Sequence, residues 1–474
     1  MKNAWTFFAG PALFLVLWLI NPFGLENDAA TVCGVVGWML IWWISETVPM
    51  PVTSLLPILL FPSLGILSLE ETCLPYGDKF VFLFLGGFVI ALALEKWNLH
   101  RRLALNIIRL TGSGADRIVF GFLFASFAIS MWISNTATAL MMFPIGSSVV
   151  NLLLTSHTEP ASKGEKNFAT SVFLAIAYGS SIGGIATLVG SPPNAMMAGI
   201  LRENHGIQVT FTDWFVIGFP FAAVLMVLTW VILVKWSFPN KLGTFPLGNE
   251  VIRNELNALG KWSFTEKMIF GVFICTAFMW IFQEQLSAWL NPVDVNDVSV
   301  AMLAAVALFI LPAEKGKLRP VLEWSDTSRL PWGILLMFGG GLSLAKAFKE
   351  SGLVQQISGI IESLNTGNLL LLVVILCITG LILTALMSNL AMVNIFVPVV
   401  AALALACGKS PEWFAIPVTI AASCDFMFPM STPPNAIAYS SGMIKANQMF
   451  RVGIYLDLIS LGLLSALAWI ILNA

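Results

Sequence analysis

A short polar phrase occurs twice inside otherwise apolar sequence, and that repetition limits the folds open to this 474-residue chain more than any other feature. Ser134-Asn135-Thr136 and Ser388-Asn389-Leu390 stand about ten residues before a proline expected to break a helix, Pro144 and Pro398 respectively, and each is followed later by a Pro-Pro-Asn, at Pro192-Pro193-Asn194 and Pro433-Pro434-Asn435. A shift of 254 residues superposes Gly87 on Gly341, Ser134 on Ser388, Asn135 on Asn389 and Pro144 on Pro398. The chain therefore reads as two copies of one unit. Polar side chains on irregular backbone are tolerated at membrane depth only where protein or a water-filled cavity satisfies them, and duplicated broken segments mark a transporter's binding site.

Composition supports a membrane setting. Hydrophobic residues make up 58% of the chain and charged ones 11%, with a mean hydropathy of +0.86, so there is lipid-facing surface to cover. A net charge of −2 offers no basic field for nucleic acid. The six cysteines (Cys33, Cys73, Cys275, Cys377, Cys407 and Cys424) lack zinc-site or disulfide-framework spacing and read as small packing residues. Lys2 and the apolar run 5–20 resemble a signal peptide, but no small-x-small cleavage site follows, so a first transmembrane helix is expected.

Apolar segments long enough for a bilayer of ~30 Å are expected at about 5–21, 30–47, 50–68, 79–97, 168–201, 213–236, 266–287, 297–312, 331–348, 411–443 and 452–473. The stretches 117–152 and 368–406 are too long for one span, and the Ser-Asn phrase interrupts each. Each reads as a re-entrant helix–turn–helix. The alternative, two full crossings per stretch, leaves short spans and puts the Asn turn at the headgroups. The expected fold is thus an all-α polytopic membrane protein with about eleven transmembrane helices and two re-entrant hairpins in an inverted two-fold repeat. Its parts are N-terminal scaffold helices (1–78), a first repeat (79–236, broken helix 168–201), a linker with scaffold helices (237–330) and a second repeat (331–474, broken helix 411–443).

Loop charge gives the orientation. With the N-terminus cytoplasmic and the C-terminus outside, only Lys79, Arg202, Lys346, Lys349 and Lys409 fall outside, leaving nineteen of 24 basic residues on the cytoplasmic face. An odd number of spans between the repeats inverts the second, so one hairpin enters from each side and the tips meet near the midplane.

At the tips, Ser, Thr and Asn oxygens with freed carbonyls suit Na⁺, while amides, hydroxyls and helix N-termini donate to an anion. Each Pro-Pro removes two backbone donors and forces unwinding of the preceding helix, with Gly179, Gly183, Gly184 and Gly190 expected to loosen the first such stretch. Ser and Asn in one membrane helix often serve only to glue helices together. Their paired occurrence in an inverted repeat argues for a site.

Taken together, Trp42-Trp43-Ile44-Ser45-Glu46 leading into Pro49-Met50-Pro51-Val52-Thr53, the segment 93–102, Ser130 to Thr136, Ala186 to Asn194 and Phe426 to Ala436 resemble the divalent anion/sodium symporters, over about 42–474. The resemblance implies one sodium site at Ser130, Ser134, Asn135 and Gly190, and another at Thr384, Met387, Asn389 and Ser431, with Met387 giving its carbonyl. It implies one substrate carboxylate on Asn135, Thr136 and Ser191, and the other on Asn389, Thr432 and Pro433. It also implies a homodimer with an elevator mechanism and no organic cofactor. The expected activity is Na⁺-coupled uptake of a C4-type dicarboxylate such as succinate, malate or fumarate across a bacterial inner membrane. A sodium-independent or proton-linked exchanger, or a carrier of citrate or sulfate, is the alternative.

Two positions depart from that pattern. Leu390 stands where a hydroxyl residue is expected, and Asp425 where a small neutral residue is expected, making Asp425 a candidate coupling residue, a helix cap or a partner of a lysine. Glu95-Lys96 and His100-Arg101-Arg102 are expected on an interfacial cytoplasmic helix, His157 and His205 in loops, Glu46 at a span end, and Trp280, Trp289 and Trp469 in interfacial belts. A continuous polar pore for a channel, and a nucleophile–base set for a hydrolase, are both lacking, so the chain is not expected to be an enzyme.

Overall fold

Each α-helix satisfies its own backbone, which is why apolar runs in this chain all become helix. The computed structural model describes residues 4–22, 24–155, 162–243, 246–290, 295–315, 319–353, 356 and 368–473, and these are helical apart from connections and one isolated bridge between Pro312 and Pro320. Helix starts carry polar caps: Ser68 with Glu71, Ser162 with Glu165, Thr210 with Asp213, Ser263 with Glu266 and Asn296 with Ser299 form reciprocal capping boxes.

The N-terminal helices are α1 (Ala4–Ile20), α2 (Asn27–Ser45), α3 (Met50–Thr53), α4 (Leu56–Ser63) and α5 (Leu69–Cys73). α2 ends at Glu46, whose φ of +48° is left-handed. The single span expected at 50–68 is instead two short helices, because Pro51 and Pro57 each start a new helix and Pro62 crowds the second.

The first repeat comprises α6 (Lys79–Lys96), α7 (Leu99–Thr111), α8 (Ala115–Ser130), α9 (Asn135–Thr155), α10 (Lys163–Ile185), α11 (Pro192–His205) and α12 (Phe211–Val231), the last continuing as a π-helix through Ser237. Between the repeats lie α13 (Pro246–Ala258), α14 (Phe264–Ile281), α15 (Gln283–Trp289) and α16 (Asp297–Ile310). The second repeat comprises α17 (Trp332–Glu350), α18 (Leu369–Thr384), α19 (Asn389–Ala406), α20 (Glu412–Ser423), α21 (Pro433–Tyr439) and α22 (Ala446–Asn473).

Among the described residues, seven helical segments are long and apolar enough to cross a membrane: 27–45, 69–96, 163–185, 211–237, 264–281, 389–406 and 446–473. That falls short of the expected eleven. The apolar helices at 5–20, 50–63, 297–310 and 369–384 are shorter. Segment 389–406, expected as one arm of a hairpin, meets the length criterion by itself.

Packing repeats as the sequence does. α8 packs on α10 as α18 packs on α20, while α11 of the first repeat packs on α19 and α21 of the second packs on α9. Each unit thus lends its last short arm to the other's hairpin, so the two tips belong to one core. Gly179, Gly183 and Gly184 lie inside α10 and do not loosen the unwound stretch. A Cβ at Gly179 would meet the Leu123 carbonyl at 2.5 Å, and one at Gly183 would strike that of Phe127, so these glycines let α8 approach closely.

The 93–102 segment also differs from expectation. Glu95 and Lys96 end α6, the chain turns at Asn98 with φ +55°, and α7 then runs as an amphipathic helix with His100 and Arg102 buried. Lys96 pairs with Asp326 at 2.6 Å and Glu95 with Arg329 at 2.9 Å. Burial pushes the His100 imidazole below its ordinary pKa, and Nδ1 lies 2.8 Å from the Leu94 carbonyl. Arg102 Nε donates to Glu266 at 2.7 Å, both side chains being over nine-tenths buried, while its other nitrogens reach the Leu259 and Gly260 carbonyls. Removing one partner of such a pair strands the other. Arg102→Ala is expected to cost about 3–5 kcal/mol, read as a lower melting temperature of the detergent-purified protein.

Two other expectations change. His205 is the last residue of α11, while His157 lies outside the described residues. Trp280 is buried, its Nε1 donating to the Asp297 carbonyl at 3.0 Å, because it stacks on Phe211 and Trp132. Trp289 and Trp469 are exposed, as a belt requires. Among the described residues every cysteine is free, with Cys377 and Cys424 buried and Cys73 and Cys275 exposed.

Candidate functional site

Four residues, 131–134, separate α8 from α9, and four, 385–388, separate α18 from α19. Both turns are followed by an Asn that opens a helix, where a side chain aims across the turn and not along the helix. Ser130 Oγ donates to Asn135 Oδ1 at 2.8 Å, and Thr384 Oγ1 to Asn389 Oδ1 at the same distance. Ser134 and Ser388 accept the N–H groups of Ala137 and Ala391, satisfying donors that a helix start leaves free. Pro144 and Pro398 do not end these helices; both stand inside them.

Beside each turn a helix comes apart. α10 stops at Ile185 and α11 resumes at Pro192; α20 stops at Ser423 and α21 resumes at Pro433. The Pro-Pro-Asn asparagines hold these gaps by the same pattern. Asn194 Nδ2 donates to the Gly184 and Thr187 carbonyls at 2.9 and 2.8 Å, and Asn435 Nδ2 to those of Asp425 and Phe428 at 3.2 and 3.1 Å. Gly184 in the first repeat therefore occupies the place of Asp425 in the second.

Oxygens converge at the first tip. The direction in which a Cβ would leave Gly190 points at the Gly184 carbonyl, the Met131 carbonyl and Thr187 Oγ1, at 2.8, 3.1 and 3.1 Å. Thr187 Oγ1 donates to the Met131 carbonyl and accepts the Gly190 N–H at 2.9 Å. A Cβ at Gly184 would collide with Asn135 Oδ1 and lie 2.9 Å from Nδ2. Ser130 with Asn135, and Thr187 and Gly190 with the Met131 and Gly184 carbonyls, thus bring neutral oxygens to this tip, the kind of donor suited to a hard monovalent cation. Ser191 caps α11 and is buried, whereas Ser134, Asn135 and Thr136 are half-buried.

The second tip is built from the same parts with less cover. Thr384 Oγ1 also lies 2.6 Å from the Ala422 carbonyl, and Ser431 Oγ lies 2.8 Å from the Phe428 carbonyl and 3.4 Å from Asn435 Nδ2. Thr432 caps α21 with an unpartnered buried hydroxyl, and Pro433 follows it. Met387 is buried, Asn389 half-buried, and Phe428 and Met430 are exposed. Leu390 is buried, filling the position that the half-buried Thr136 takes in the first repeat.

Asp425 lies one residue past the Cys424 cap of α20, so it does not cap that helix. It is buried against Ser431, with Oδ2 unpartnered and no lysine paired to it among the described residues. A second acid lies with it. Asp457, midway along α22, accepts the Phe426 N–H, from the residue next to Asp425. Asp457 escaped the sequence reading although an ionisable residue inside an apolar run was a signal for it.

Known proteins resemble this chain in sequence and in fold. The chain spans about nine-tenths of the length of the relatives it matches: it is 38% identical over 458 residues to the sodium-dependent dicarboxylate transporter SdcS of Staphylococcus saprophyticus, covering 95% of this chain and 88% of that protein. The SdcS protein of Staphylococcus aureus strain USA300 is 38% identical over 457 residues, with the same coverage. Among solved structures, the Alcanivorax borkumensis YdaH transporter superposes with a TM-score of 0.56 at 13% identity, covering 88% of this chain and 89% of that one. Neisseria gonorrhoeae MtrF gives 0.55 at 13%, covering 94% and 95%; these two likenesses concern the fold. The family model described as the sodium:sulfate symporter transmembrane region matches residues 1–474, and the chain belongs to that family of membrane transporters.

Proposed function

We propose that the protein is a secondary active transporter that takes up C4-type dicarboxylates, such as succinate, malate or fumarate, with Na⁺. The observation that carries this reading is the duplicated tip, in which Ser130 with Asn135 and Thr384 with Asn389 repeat one geometry at 2.8 Å. The relatives named as sodium-dependent dicarboxylate transporters support it. One Na⁺ is held by Ser130, Ser134, Asn135 and the Gly190 backbone, the other by Thr384, the Met387 carbonyl, Asn389 and Ser431. The substrate carboxylates lie on Asn135, Thr136 and Ser191 and on Asn389, Thr432 and Pro433. Neutral donors leave the anion releasable, because the co-bound cations that neutralise it depart with it.

The same reading takes α8–α9 and α18–α19 as re-entrant hairpins entering from opposite faces of a bacterial inner membrane, within about eleven spans, the N-terminus cytoplasmic and the C-terminus outside. The scaffold is 1–78 and 237–330, against which residues 79–236 and 331–474 move by an elevator step in a homodimer. Uptake of labelled succinate into proteoliposomes tests the coupling: it is expected with an inward Na⁺ gradient and lost when choline or K⁺ replaces Na⁺. Equal uptake in choline refutes it. Sulfate is the specific competitor, since the family description names it; excess unlabelled succinate is expected to block uptake and equimolar sulfate to leave most of it.

Thr187 offers a local check. Thr187→Val removes the hydroxyl that ties Met131 to Gly190, a hydrogen-bond loss of about 1 kcal/mol where the oxygens converge. The Na⁺ concentration for half-maximal uptake is expected to rise about fivefold. An unchanged value would separate Thr187 from the cation site.

A further inference from the structure

A cavity of about 660 Å³ opens where three helix ends meet, away from the hairpin tips. α10 starts there at Lys163, α22 starts there at Ala446, and α12 ends there as the π-helix Ile232–Ser237. The π-helix packs on both α10 and α22, so the cavity joins the first repeat to the second. Asn167 donates to the Pro239 carbonyl at 2.9 Å, which fixes the chain that leaves the π-helix along the cavity wall.

The lining is cationic and holds no acid. Lys163 and Arg451 are part of it, and no aspartate or glutamate is. Among the described residues neither cation is paired with a carboxylate; Arg451 Nε lies 3.4 Å from the Tyr455 hydroxyl, which leaves the other guanidinium nitrogens free. Gln448 turns its oxygen to the Lys445 N–H at 2.8 Å, and its NH₂ is then a third donor. Two helix N-termini add to the field, since α10 and α22, of 23 and 28 residues, both open at the cavity and carry partial positive charge on their first N–H groups. This arrangement suits an anion with several oxygens, such as a phosphate.

The apolar approach to the cavity says which phosphate. Val224, Val227 and Val231, three and four residues apart, expose one face of α12 that runs to the π-helix, and Leu458 is exposed three residues after Tyr455 on α22. Exposed apolar faces of a membrane transporter meet acyl chains, and Trp and Tyr mark the headgroup level. Trp236, 76% exposed, lines the cavity with its ring centroid 6.4 Å from that of Tyr455. A small aqueous anion would use the cations and leave this apolar approach bare; a phospholipid uses both. A zwitterionic headgroup would also bring an ammonium, for which the lining has no carboxylate.

We propose that this cavity binds an anionic phospholipid, its phosphate held by Lys163, Arg451 and Gln448 and its acyl chains lying along α12 and α22. The lipid bridges the two repeats. The site is independent of the sodium and substrate assignments above.

Equilibrium binding of radiolabelled phosphatidylglycerol to the delipidated protein in mixed detergent micelles tests it. Saturable binding is expected, displaced by unlabelled phosphatidylglycerol and about tenfold less well by phosphatidylethanolamine, whose ammonium finds no partner. Inorganic phosphate at the same concentration is expected to displace none. Arg451→Gln and Lys163→Gln are each expected to weaken binding about tenfold, the worth of one lost contact to a charged group. Both side chains are exposed, so the variants are expected to fold, and Lys261→Gln, an exposed cation outside the cavity, is expected to bind like the wild type. Binding that does not saturate, equal competition by phosphatidylethanolamine, or an equal loss in Lys261→Gln would reduce the site to unselective adsorption and overturns it. Displacement by inorganic phosphate overturns the lipid in favour of a free anion, and wild-type affinity in either cavity variant overturns the placement. The competition arms use the wild type alone and decide the matter even where a variant is not recovered folded.

Discussion

Asn135→Ala and Asn389→Ala are each expected to cut Na⁺-driven succinate uptake by about a hundredfold or more while the protein inserts and folds normally. Each amide takes part in two duties. Its oxygen is held by a hydroxyl from the preceding arm, Ser130 or Thr384, at 2.8 Å, which fixes the amide across the turn. On the proposed function, the oxygen in that position faces a cation and the NH₂ faces the anion. Loss of two charge-assisted contacts at about 1.5–3 kcal/mol each gives the stated factor. Both asparagines are half-buried at helix starts; Asn389→Ala leaves the buried Thr384 hydroxyl on the Ala422 carbonyl, whereas Asn135→Ala strands the buried Ser130 hydroxyl at a cost of about 1–3 kcal/mol, which the melting temperature reads separately from uptake. Size-exclusion profile and uptake, measured together, check the pair; either variant that folds and retains near wild-type uptake contradicts the paired site.

Gly184→Ala is expected to lower uptake by about tenfold to a hundredfold, the worth of one displaced contact to a charged group. The new methyl would occupy the space of Asn135 Oδ1. The amide is the movable member of that collision, so the conflict is relieved by swinging it away from the tip and not by unfolding α10. Gly87→Ala is the control, since the nearest atom to a Cβ there is Val189 Cβ at 4.0 Å, and it is expected to transport like the wild type. Equal uptake by both alanine variants would show that Asn135 does not act where the structure places it.

The parts of this site most legible in sequence were those that break a rule of helix formation. Pro192-Pro193 and Pro433-Pro434 cannot continue a helix, and the structure breaks at both. The Ser-Asn phrases lie at turns for a related reason, their side chains serving helix starts better than helix interiors. Pro144 and Pro398 misled, because a helix can run through a proline when neighbouring elements take up the freed carbonyl. The glycines before Gly190 misled as well: the sequence shows a missing side chain but not whether it serves bending or the approach of a neighbour such as α8. The Arg102–Glu266 pair joins residues 164 apart in sequence, and no local pattern announces a contact of that range. Asp457 was visible as an acid in an apolar run, but only the packing of α22 shows that it accepts the Phe426 N–H beside Asp425.

Equilibrium binding of labelled succinate to the purified protein, titrated at a series of Na⁺ concentrations with choline holding ionic strength constant, tests most directly whether the cations and the anion share the tips. Linkage requires that ions bound beside the substrate raise its affinity. The predicted result is a logarithmic plot of succinate affinity against Na⁺ with a slope above one below saturation, reduced in Ser130→Ala, which alters the first cation's oxygen set. A slope of zero, with succinate binding equally well in choline alone, would contradict the account.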